Sequence, residues 1–74
     1  MLWAYHTLGC VPGAPKEKVK KNYRRLLMAY HPDRLLHSKL SDDQKRRDLQ
    51  KFYEVQKAWE ALEQVYQTAE QKVA

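Results

Sequence analysis

Val19-Lys-Lys-Asn-Tyr-Arg-Arg-Leu-Leu-Met-Ala-Tyr-His-Pro-Asp-Arg34 is the stretch that decides how this chain folds. Val19, Asn22, Tyr23, Leu26, Leu27 and Tyr30 recur at threes and fours, the spacing of one side of a helix. Lys18, Lys21, Arg24, Arg25 and Met28 fall largely on the other side. Pro32 ends the pattern, because the residue before a proline avoids the helical region, so the helix stops at about Tyr30. At the other end Pro15 suits a first turn, where its missing N–H has no partner to lose, and the helix covers about 15–30.

Upstream, Leu2, Trp3, Tyr5 and Leu8 are spaced for the apolar face of a short first helix, about 2–8, which Gly9, Pro12, Gly13 and Pro15 bring to a stop. Downstream, residues 31–40 read as a connection. Ser41, followed three residues later by Gln44 with Asp42 and Asp43 between them, is a capping box at the start of a third helix, about 42–64. Leu49, Phe52, Val55, Ala58, Trp59, Leu62 and Tyr66 form its stripe, and Gln64 to Ala74 reads as a helical extension. No strand pattern or internal repeat occurs, so the expected fold is all-α: an antiparallel pair of long helices with the short first helix across them. The expected core is Tyr5, Leu8, Val19, Leu26, Leu27, Phe52, Val55, Ala58, Trp59 and Leu62. Tyr23 lies at the edge of its stripe, where core and contact surface are both open to it.

With 74 residues there is room for one domain, 1–74, and one core. Hydrophobic residues make up 43% and charged residues 31%, the balance of a folded helical domain and not of a disordered tail. Cys10 is the lone cysteine, which excludes an internal disulfide and favours a reducing, cytoplasmic compartment, with anchoring by regions outside this chain left open. The longest uncharged stretch, Met1 to Pro15, is interrupted by His6, Gly9, Pro12 and Gly13, so no membrane contact is expected of this domain. The net charge of +5 is matched by Lys16 to Arg25 alone, where six cations face one carboxylate, Glu17. A patch of that kind attracts an acidic partner, whether a protein face or a phosphate backbone.

The quoted stretch resembles the second helix and signature turn of the J-domain (DnaJ-like) cochaperones, whose hallmark is the tripeptide His31-Pro32-Asp33. Three further blocks stand in the family's order. Tyr5-His-Thr-Leu8-Gly9 matches its opening, Tyr23-Arg24-Arg25-Leu26 its second helix, and Lys51-Phe52-Tyr-Glu-Val55-Gln-Lys-Ala58-Trp59-Glu-Ala-Leu62 is similar to its third helix. Trp3 and Ala4 depart from the usual acidic and aromatic pair, the connection before Phe52 is longer than in the commonest members, and the small fourth helix is missing. The longer connection and Trp59 resemble the J domains of the diphthamide-biosynthesis cochaperones and those of the membrane-anchored DjlA type.

What the resemblance implies is a monomeric activator that does no covalent chemistry itself. Its partner is a DnaK-type chaperone (the heat-shock 70 kDa class) in the ATP state, and its docking face comprises Lys20, Tyr23, Arg24, Arg25, the turn His31, Pro32, Asp33, and Arg34 beside it. The chemistry of the residues agrees with that role: arginines make forked, charge-assisted bonds to carboxylates, and Pro32 stiffens the turn that presents His31 and Asp33. Binding would help only by favouring the partner's hydrolysis-competent state.

Two other classes compete. A basic three-helix nucleic-acid module shares the charge, but its inter-helix turn is normally short and its basic helix closes the motif, so nucleic acid is the disfavoured partner. A J-like scaffold that binds without activating is opposed by the intact signature. His6, Cys10, His31 and His37 share no metal-ligand spacing, and Cys10 with Ser38 has no oxyanion loop, so no metal, cofactor or catalytic residue is expected.

Overall fold

A computed structural model describes residues 1–72, and of 69–72 the backbone alone. Four helices follow in order: α1 (Leu2–Thr7), α2 (Lys16–Ala29), α3 (Pro32–Leu36) and α4 (Asp42–Lys72). No strand occurs among the described residues, and the fold is all-α.

The ends of the elements follow local chemistry. Gly9 and Gly13 take φ of +69° and +83° in the turns between α1 and α2, a region open to glycine at little cost. Pro15 stands just outside α2, not within its first turn, at ψ 147°, and its carbonyl accepts from the Lys18 and Val19 amides. Tyr30 closes α2, and His31 is extended at ψ 135°, as the following proline requires. One half of the capping box before α4 forms: the Gln44 amide donates to Ser41 Oγ at 3.2 Å. The Gln44 side chain does not return to Ser41 but donates to Asp48 Oδ1 at 2.9 Å, one turn on.

α2 and α4 run antiparallel. Lys16 lies over Tyr66, Tyr23 against Trp59 and His31 against Phe52, so partners on α4 descend as α2 ascends. Val19, Val55, Ala58, Leu62 and Leu8 are fully buried where α1, α2 and α4 meet. Burying the valines and leucines among them contributes roughly 1.5–3 kcal/mol each before entropy is charged against it.

The core departs from expectation on both sides. Tyr5, Leu26, Leu27 and Phe52 are only half-buried, because a layer this thin cannot cover large side chains at its edges. Leu2 and Trp3 are 62% and 50% exposed, and the buried residue of α1 is Ala4, whose small side chain lets α1 lie close on α4. Cys10, Ala14 and Leu35 are buried as well. Leu35 is inside because the connection 31–40 is not the plain loop expected: Pro32–Leu36 coils into α3 and packs on α4.

Candidate functional site: the corner between α2 and α3

Three residues build the corner from backbone rules. His31 is the N-cap of α3 and Pro32 its first residue, where a proline ring is already set for the helix. The Asp33 amide donates to His31 Nδ1 at 3.2 Å, the bond an N-cap side chain makes to the exposed first turn. With Nδ1 accepting, the ring proton belongs on Nε2, an assignment from hydrogen-bond geometry. The Asp33 carboxylate stands 3.8 Å from the same Nδ1. Both side chains remain open, His31 at 51% and Asp33 at 82% exposure, so neither is committed to the interior.

Two contacts fix the corner to the rest. The His31 ring meets Phe52 of α4 edge-on, centroids 6.0 Å apart at 74°. Arg34 reaches back from α3 and its Nη1 donates to the Met28 carbonyl at 3.3 Å, near the end of α2 where carbonyls lack helical partners.

The residues singled out from the sequence do not share one face. His31, Pro32, Asp33 and Arg34 form the corner itself. Lys20 and Arg24, one turn apart and exposed, share a flank of α2 with Tyr23. Arg25 is rotated about 100° from Arg24. It lines a groove on the opposite flank with His6, Asn22, Tyr30 and Lys51. Tyr23 is intermediate between the two readings: its ring stacks on Trp59 at 5.0 Å and 12°, yet it stays half-exposed. Burial raises its pKa above the ordinary 10, and the Glu60 and Glu63 carboxylates of α4 raise it further.

Sequence reasoning missed two supports. Phe52 was expected in the core and instead braces His31; no spacing rule links residues so far apart until the antiparallel register is known. Asn22 sits in the apolar stripe yet donates from Nδ2 to the Leu8 and Gly9 carbonyls at 3.2 and 3.4 Å, satisfying the end of α1. A polar residue inside an apolar stripe was the available signal. Among the described residues no group of His, Cys, Asp or Glu is arranged to hold a metal, and no helix is long and apolar enough to cross a membrane.

With this geometry in hand, the comparisons with known proteins converge. Over 62 residues the chain is 42% identical to the adaptation to cold protein J of Shewanella oneidensis and 36% identical to the co-chaperone protein DjlA of Coxiella burnetii, 84% of this chain in each case. It is 47% identical over 58 residues, 78% of its length, to the chaperone protein DnaJ of Neisseria gonorrhoeae. The matches span 64%, 23% and 14% of those proteins. DjlA is one of the two subtypes the longer connection suggested. No solved structure matches the chain significantly. The family model described as the DnaJ domain matches residues 3–70, and the chain belongs to that family.

Proposed function

We propose that this domain is a cochaperone module that docks on a DnaK-type chaperone in its ATP state and stimulates ATP hydrolysis there. The observation that carries the reading is the exposed, proline-locked corner: His31 and Asp33 face solvent on the first turn of α3, with Arg34 exposed beside them and Lys20 and Arg24 exposed on one flank of α2. Cations on the flank steer a carboxylate-rich surface into register, and the corner then supplies the short-range contacts. Its donor and acceptor are complementary: with Nδ1 taken by the Asp33 amide, His31 Nε2–H is left to donate and the Asp33 carboxylate to accept from a partner cation. ATP and the attacking water belong to the partner, so the domain acts as a monomeric activator and not as an enzyme. The free, buried Cys10 suits a reducing compartment such as the cytoplasm.

Single-turnover ATP hydrolysis by a DnaK-type chaperone, with and without the domain, tests this. Stimulation by the native chain and its loss in His31→Gln, with an unchanged helical spectrum, is the expected result. Binding without stimulation by the native chain would favour the scaffold reading, and tight DNA binding with a steep salt slope and no stimulation would favour the nucleic-acid reading.

A further inference from the structure

Behind the corner, α3 and the start of α4 enclose a shallow apolar groove lined by Pro32, Leu35, Leu36 and Leu49, with Lys45 and Arg46 on its α4 wall. Leu35 is 7% exposed and forms its floor, whereas Leu36, its neighbour on the rim, is 73% exposed. A single exposed leucine is ordinary on a protein surface. Here four apolar side chains are contiguous in one concavity, and the fold does not use the outermost of them. No carboxylate lines the groove. The segment from Arg34 to Lys51 carries six cations, Arg34, Lys39, Lys45, Arg46, Arg47 and Lys51, against Asp42, Asp43 and Asp48. Asp48 already accepts from Gln44, so its charge is partly engaged within α4.

We infer that this groove is a second docking site, for a short acidic segment of a protein that carries leucine-sized side chains about one helical turn apart. The apolar side chains of such a segment cover Leu36 and Leu49, and its carboxylates pair with Lys45 and Arg46. The charge of the wall selects this occupant: burying Leu36 against an uncharged or basic segment would leave two cations facing the partner without counter-charges. Of the corner residues only Pro32 lines the groove; His31, Asp33 and Arg34 do not.

The test uses no chaperone, so its outcome is separate from that of the proposed activity. A labelled synthetic peptide with two leucines one turn apart among glutamates is titrated into the full chain, read by fluorescence anisotropy and by NMR shifts. Saturable binding is expected, with shifts centred on Leu35, Leu36, Lys45, Arg46 and Leu49. Leu36→Ser and Arg46→Glu should each weaken it about tenfold. Replacing the peptide's glutamates by lysines should abolish binding. Leu36 is exposed, so Leu36→Ser keeps the fold and decides the matter even if Arg46→Glu is poorly behaved. Absence of saturable binding overturns the inference, as does binding that neither variant weakens. It is equally overturned if Leu36→Ser dissolves a dimer seen by sedimentation, or if anionic vesicles displace the peptide while neutral ones do not.

Discussion

The middle of the α2–α4 pair and the corner at His31 are held by different physics. In the middle, Val19, Val55, Ala58 and Leu62 are wholly shut from water and Tyr23 stacks on Trp59. Its geometry exists because many side chains crowd one space. At the corner the deciding groups are solvent-exposed, and the shape comes from a proline ring, one N-cap bond, one edge-on aromatic contact and the Arg34 bond to the Met28 carbonyl. A packed region transmits every change in volume, whereas a region shaped by dihedral preference and capping tolerates a change of chemistry with little loss of stability. In the docking role proposed above, the corner residues can be tuned without endangering the fold.

Substitutions can break the comparison from the packed side first. Leu62→Ala removes a fully buried side chain and should cost about 3 kcal/mol, a large share of what so short a chain has, so chemical denaturation should find it near or below its folding threshold. A loss under about 1 kcal/mol would mean the middle relaxes as freely as the corner. A double-mutant cycle on Tyr23 and Trp59, each changed to leucine, should give a coupling of about 1 kcal/mol for the stacked pair.

Alkaline pH sharpens the same side. The Tyr66 hydroxyl is buried without a well-formed hydrogen bond; burial, helped by the adjacent Tyr5 side chain, pushes its pKa up to about 12 from the ordinary 10. A pKa raised by folding means that the folded state holds its proton longer than the unfolded chain. The stability linked to Tyr66 is therefore complete below pH 10 and lost as pH climbs towards 12. Tyr66→Phe should flatten the fall in melting temperature over that window, and an unchanged slope would count against a buried hydroxyl.

The smallest effect on stability and the sharpest on function should come at the corner. Asparagine is a strong N-cap, so His31→Asn should change stability by no more than about 0.5 kcal/mol while removing stimulation of the chaperone. If His31→Asn unfolds the domain, the corner is not shaped locally after all.

The legible parts of this molecule were those governed by neighbours in sequence. Pro32 announced the end of α2, and Ser41 with Gln44 announced the start of α4, because both signals act within one turn. His31-Pro32-Asp33 was visible as a stiff turn for the same reason. α3 was not legible: five residues are too few for a hydrophobic period to emerge, and Leu35 looks the same as Leu36 until the chain coils and buries one of them. The division of the cations between the two flanks of α2 follows from helical rotation and could have been read; what each flank faces depends on the placement of α1 and α4. The support of His31 by Phe52 and the pairing of Tyr23 with Trp59 cross between elements and needed the register.

α1, α2 and α3 each make their main contacts with α4. The architecture thus has α4 as its hub, with side-chain bonds from Asn22 and Arg34 joining the arms to one another. α1 and α2 meet the rod at one shared stretch, around Val55 to Leu62, and Asn22 ties α2 to the end of α1, whereas α3 leans on the rod beside Leu49, so loosening α1 is felt by α2 before it is felt by α3. Damage to the rod itself has no such containment, since all three arms lose their backing together.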